Sequence, residues 1–256
     1  MKIKHLLIGA SAILATCPGL MAADKVSEVW VADMGNGKYR NPIINADYSD
    51  PDAIQVDGNY YMTASSFCNL PGLPILHSKD LVNWTIANYA VKTLEPADYF
   101  NSARHGDGVW APAIRHHDGV YYIYWGDPDH GVYMVKTTDP FGEWDAPVLV
   151  HEAKGIIDTC PFWDEDGKAY LVNGWAKSRS GLNALITVSE MSTDGTRLLS
   201  DPVAVYDGLQ DGNHTIEGPK FYKRNGYYYI FAPAGSVAAG WQVVLRSKSP
   251  YGPYEA

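Results

Sequence analysis

The chain has 256 residues, 46% of them apolar, with 18 Tyr and 8 Trp. That length suits one domain with a full core, or two small ones. A net charge of −9 and a pI near 5.3 argue against a nucleic-acid partner. An acidic, aromatic-rich surface suits neutral ligands such as sugars. Three cysteines are too few for a disulfide scaffold. Cys68 and Cys160 read as two partly buried thiols.

The N-terminus reads as a secretory signal rather than part of the fold. Lys2 and Lys4 give a positive start, Leu6 to Ala15 a short apolar stretch, and small residues follow. The stretch is too short for a stable membrane span. Residues 1–22 are therefore expected to be removed, leaving 23–256 as the folded domain in an exported, periplasmic or extracellular protein. Leu14-Ala15-Thr16-Cys17 offers lipid anchoring through Cys17 as a second route.

The rest of the chain is an internal repeat. Each copy has a proline, a short strand, a tight polar turn ending in glycine, and an aromatic strand. The copies run Pro51 to Asp57-Gly58, Pro112 to Asp118-Gly119, Pro161 to Asp166-Gly167 and Pro219 to Asn225-Gly226. The Asp-Gly and Asn-Gly turns supply residues that tolerate positive φ, as tight hairpins require. Further strands are expected over Pro74 to Lys79, Val132 to Thr137, Leu185 to Ser189 and Gln242 to Ser247. No segment reads as a long amphipathic helix. Turn glycines about fifty to sixty residues apart suit four strands per unit, the size of a propeller blade. The Tyr-Tyr pairs after each turn are expected to pack between blades.

Three copies carry a carboxylate just before the proline: Asp50, Asp158 and Glu217. If the copies are blades around one axis, these acids converge there. Three converging acids are unfavourable unless they do chemistry. In the second copy the equivalent place is taken by Trp110, which could stack on a sugar or simply pack in the blade. Asp52 competes with Asp50, because residues two apart in an extended strand share a face. His77, His105, Asp107 and His214 are further residues that could reach a central pocket. No histidines show metal-ligand spacing, and His116-His117 would point to opposite faces of a strand.

The motifs together resemble family 43 of the glycoside hydrolases. The matching residues are Asn41-Pro42-Ile43-Ile44 with Ser49-Asp50-Pro51-Asp52, then His77 to Trp84, Gly108 to Pro112, Ile157-Asp158, and Glu217-Gly218-Pro219-Lys220-Phe221-Tyr222. The resemblance implies an all-β, five-bladed β-propeller, of which this chain has sequence for four blades. The chain thus reads as a C-terminally truncated member. The resemblance implies Asp50 as general base, Glu217 as general acid and Asp158 as the acid that orients Glu217 and raises its pKa. Trp110, His77, His105 and Asp107 are expected to bind substrate. It implies an inverting β-xylosidase or α-L-arabinofuranosidase acting on hemicellulose oligosaccharides or polysaccharides. No obligate protein partner and no required cofactor are implied, although a central cation such as calcium is possible in the complete family member. The alternative is a truncated, non-catalytic carbohydrate-binding propeller. Identity of the sugar depends on loops and is not legible in the sequence.

Overall fold

The computed structural model describes Ser27 and residues 29–256. The expected signal segment, including Cys17, lies outside the described residues. Among the described residues fifteen strands form four sheets. The first holds β1 (Asp52–Val56), β2 (Asn59–Thr63), β3 (Gly72–Ser78) and β4 (Trp84–Val91). The second holds β5 (Trp110–His117), β6 (Val120–Asp127), β7 (Gly131–Thr137) and β8 (Val148–Glu152). The third holds β9 (Ile156–Trp163), β10 (Ala169–Trp175), β11 (Leu185–Met191) and β12 (Val203–Asp207). The fourth holds β13 (Lys220–Arg224), β14 (Tyr227–Ala234) and β15 (Trp241–Ser247). Each sheet is an antiparallel meander in chain order, and β1, β5, β9 and β13 come together in series as the innermost strands. This is a propeller arrangement of four blades. Among the described residues helix is limited to single turns, α1 (Ala97–Phe100) and α2 (Lys177–Ser180).

Three of the four expected hairpins have positive φ at both central residues: Asp57-Gly58, Asp118-Gly119 and Asn225-Gly226. Such turns match the twist of the strands they join. The third copy differs. Its chain turns over Asp164 to Lys168, with positive φ at Gly167 and a bond from Asp164 N–H to the Lys168 carbonyl. The longer loop frees the Asp164 carboxylate to meet Lys223 and Tyr228 of the fourth blade. The fourth blade also departs from the expected four strands. Its outer strand shrinks to a bridge between Arg246 and Glu255.

The core lies between blades. Tyr121, Ile123 and Trp125 face Tyr61, Leu73 and Ile75 of the first blade. Their neighbours Tyr122 and Tyr124 face Ile156, Leu171 and Met191 of the third. Alternation along β6 thus sends one tyrosine of the pair to each side, as period-two geometry requires. A third cluster joins Val172, Ile186 and Val188 to Phe221, Ile230 and Leu245. Cys68 and Cys160 are both free thiols, Cys160 fully buried.

Candidate active site

The lead-ins to the first strands of blades 1 and 4, and the start of the first strand of blade 3, open onto one cleft of about 590 Å³. Asp50, Asp158 and Glu217 all line it, with Trp110, Phe67, Lys220, Phe231 and Gln242. The convergence expected from the repeat is therefore real. Asp50 and Asp158 share an unusual backbone, with φ of 51° and 57°. Ala111, beside Trp110, has φ of 35°. Such conformations are disfavoured for residues with a Cβ and persist where the surroundings over-determine them.

That backbone kink decides between Asp50 and Asp52. Left-handed φ at Asp50 breaks the extended geometry that would put both on one face. Asp50 stays exposed in the cleft, where its Oδ2 accepts a hydrogen bond from Ser65 Oγ at 2.7 Å. Ser65 is held in turn by the Ala111 N–H at 2.8 Å. Asp52 points the other way and is buried. It accepts from Arg115 Nη1 at 2.6 Å and from the Ile114 N–H at 2.9 Å.

Asp158 is buried, and its Oδ2 accepts the Gly218 N–H at 2.7 Å. Burial pushes its carboxyl up to about 6. The Gly218 amide and the Lys220 ammonium hold it down from higher values, while Asp50 adds repulsion. Glu217 reaches solvent through the cleft, but protein closes around its back. Desolvation, then repulsion from Asp158 and Asp50, pushes it up to about 7. Both carboxyls are thus raised above the ordinary acid range, Glu217 in part by the charge on Asp158. The two acids repel and titrate as a coupled pair. Gly174 in β10 is their backstop. A Cβ there would lie 3.5 Å from Asp158 Oδ2 and 3.6 Å from Glu217 Cα, so any larger side chain would press on both acids.

Trp110 lines the cleft, as expected. Its Nε1 donates to the Gly106 carbonyl at 2.7 Å, and the Arg179 guanidinium lies 5.4 Å from its ring centroid. Asp107 does not line the cleft. It receives the Tyr99 hydroxyl at 2.7 Å and pairs with Arg179, which also binds Asp129. It therefore supports the residue that flanks Trp110. His77 is a correction. It lies on β3, away from the innermost strand, bonds Asn59 at 2.8 Å and packs on Tyr61 and Phe141. His105 and His214 are exposed and do not line the cleft either. Ser65, the Gly218 amide and Gly174 carry no signal in the sequence. No motif marks a serine or a backbone N–H as an acid's partner. Lys220 stood within a quoted motif, but without a role.

Among the described residues no group of three or more His, Cys, Asp or Glu is placed for a metal, and Arg115 and Lys220 flank the inward carboxylate of Asp52. A third positive charge there would be repelled.

A model of the glycosyl hydrolases family 43 matches residues 39–256, nearly all of the described chain. The chain belongs to glycosyl hydrolase family 43. A protein of Xylanibacter ruminicola named as a candidate beta-xylosidase is 41% identical over 223 residues, 87% of this chain and 40% of that protein. A non-reducing end alpha-L-arabinofuranosidase of Bacteroides ovatus is 33% identical over 234 residues, 89% of this chain and 42% of that one. A solved Bacteroides ovatus structure, described as xyloglucan PUL GH43B, superposes with a TM-score of 0.72 at 31% identity. It is matched over 84% of this chain and 42% of its own. This family 43 chain thus spans about two fifths of the length of the curated relatives it matches.

Proposed function

We propose that the protein is an inverting glycoside hydrolase that releases xylose or arabinofuranose from the ends of hemicellulose fragments. One observation carries this reading. Three acids from three blades meet in one cleft, and only Glu217 is pushed up to about 7. A protonated acid opposite an ionised base is what inversion requires. Asp50, exposed and held by Ser65, removes a proton from water. The water oxygen attacks the anomeric carbon, and the bond to the leaving oxygen breaks on the opposite face. Glu217 gives its proton to that leaving oxygen, and Asp158 keeps Glu217 protonated by repulsion. Inversion needs about 6.5–9.5 Å between base and acid, room for one water. Trp110 offers its ring to the sugar. The step needs no metal and no partner beyond the oligosaccharide or polysaccharide.

The second reading is a carbohydrate-binding propeller without turnover. It is favoured by the exposure of Phe231 and Pro233, which leave the fourth-blade side of the cleft open. Proton NMR of sugar released by the full encoded polypeptide tests the two. The first reading expects free pentose with inverted anomeric configuration before mutarotation. Retained configuration would overturn the mechanism, and binding with no release would leave the second reading. Export is proposed on Lys2, Lys4 and the apolar stretch after them, with Cys17 lipidation as the alternative. Among the described residues no helix is long and apolar enough to cross a membrane. Mass spectrometry of protein secreted by cells checks it, and an intact Met1 end would contradict it.

A further inference from the structure

No direct hydrogen bond between the side chains of Asp50, Asp158 and Glu217 fixes their spacing. One layer below them, however, the strands that carry them are tied to one side chain. Asp52 follows Asp50 by two residues, Cys160 follows Asp158 by two, and Lys220 to Tyr222 follow Glu217 by three to five. All of them gather around Arg115. Its Nη1 donates to Asp52 Oδ2 at 2.6 Å and its Nη2 to Cys160 Sγ at 2.8 Å. The same sulfur receives the Phe221 N–H at 3.4 Å. The guanidinium carbon stands 5.4 Å from the Tyr222 ring centroid, and Lys220 Nζ lies 3.9 Å from the other oxygen of Asp52. Arg115 belongs to β5, the innermost strand of the one blade whose acid position is Trp110. The blade that lacks an acid supplies the cation that the other three share.

We propose that Arg115 is the positioning residue that sets the spacing of the three acids, a role that rests on reading them as catalytic. Three features support it. The side chain is only 13% exposed, so its charge acts in a medium that screens weakly. Its Nε has no partner, so the two terminal nitrogens alone fix its orientation. Its planar fork reaches a carboxylate and a thiol at once, which the single ammonium of lysine does not. Asp50 and Asp158 sit two residues from their anchors and themselves have left-handed φ, so a shift of Asp52 or Cys160 is passed to them over one kinked step.

Arg115→Lys keeps the charge and removes the fork, so direct charge effects on the acids stay nearly constant. The readout is the carboxyl-carbon NMR titration of Glu217 and Asp158 in this chain, with urea unfolding measured alongside. The charged groups facing Glu217 are Asp158 and Asp50, with Lys220 beside Asp158. When the spacing loosens, repulsion on Glu217 weakens, so its titration should fall by about half a unit or more. Asp164→Asn is the control. It breaks the buried contacts to Lys223 and Tyr228 between blades 3 and 4 without touching the Arg115 layer, so stability falls and the titration stays put. If Arg115→Lys does not fold, Cys160→Ser replaces it, since a shorter C–O bond pulls the fork from one anchor only. An unchanged Glu217 titration in the folded variant, or an equal shift in the Asp164→Asn control, would overturn the proposal. The outcome does not depend on turnover. Failure of the hydrolase reading would show instead as full activity in Asp50→Asn.

Discussion

Blades 2 and 4 are built from similar sequences and end in different states. In blade 2 both faces of β6 are covered, Tyr121, Ile123 and Trp125 by blade 1 and Tyr122 and Tyr124 by blade 3. In blade 4 only one face of β14 is covered, by blade 3, through Tyr228, Ile230, Ala232 and Ala234. The alternate residues Phe231 and Pro233 are exposed, as is Val244 on β15. The contrast shows how a propeller distributes its stability. Each blade is a two-sided sheet that reaches full burial only between two neighbours. It also divides the site. Asp158 arises in a blade held between two neighbours and is buried, whereas Asp50 and Glu217 lead into the two end blades and keep access to solvent.

The comparison can be broken first at the acids. In the full encoded polypeptide, Asp50→Asn should lower kcat by about 10³-fold or more for every substrate, because water activation is always needed. Glu217→Gln should lose a similar factor on natural linkages but only about tenfold on an aryl glycoside with a good leaving group, which needs little protonation. Steady-state kinetics on both substrate types check this. Equal losses on the aryl glycoside would erase the division of roles.

The packing contrast comes next. Ile123→Ala, in the fully buried core between blades 1 and 2, should lower the unfolding free energy by about 2–5 kcal/mol. Val244→Ala, on the bare face of blade 4 and 39% exposed, should stay within about 0.5 kcal/mol. Urea unfolding of both variants is the measurement. Comparable losses would mean that the blade 4 face is covered in solution.

A smaller effect is expected in pH dependence. Hydrolysis needs Glu217 protonated, so the rate should fall as pH rises through about 7. Asp158→Asn removes a like charge and moves that alkaline limb to lower pH. Burial remains the larger cause, so the limb should stay above the ordinary glutamate value of 4.5. A limb that does not move would separate Asp158 from the acid's ionisation.

The smallest effect is on stability. The folded pKa of Glu217 is raised, so the folded state holds its proton more tightly than the unfolded chain. The stability from that proton is complete below the unfolded value and is lost as pH rises towards about 7. Glu217→Gln should therefore melt higher than the parent above that pH, and the gap should close near the unfolded carboxyl range. Solvent access at Glu217 keeps the gap small. A lower melting point at alkaline pH would contradict the raised pKa.

The strands and hairpins were legible because they depend on local chemistry. Alternating aromatic runs and Asp-Gly or Asn-Gly turns fix period and φ within a few residues. The outer strands β4, β8 and β12 were not picked out, because they are short, partly exposed and weakly patterned. The acid trio was legible because repetition places equivalent residues at one axis, so sequence position stands in for space. His77 failed as a pocket residue because its motif lies on the third strand of the first blade, a strand that contributes no residue to the cleft.

The sequence by itself determined four strand-rich repeats, their turns and three acids at equivalent places. Tertiary structure alone decided which carboxylate of the Asp50/Asp52 pair faces the cleft, since a left-handed φ turned them apart. It alone raised Glu217 to about 7, because desolvation and repulsion depend on what stands nearby in space. It alone gathered Asp52, Cys160 and Tyr222 on Arg115, residues that lie 45 to 107 positions from it along the chain. Local preferences act over a few bonds, whereas burial and charge act through space, and only the packed arrangement of blades sets those distances.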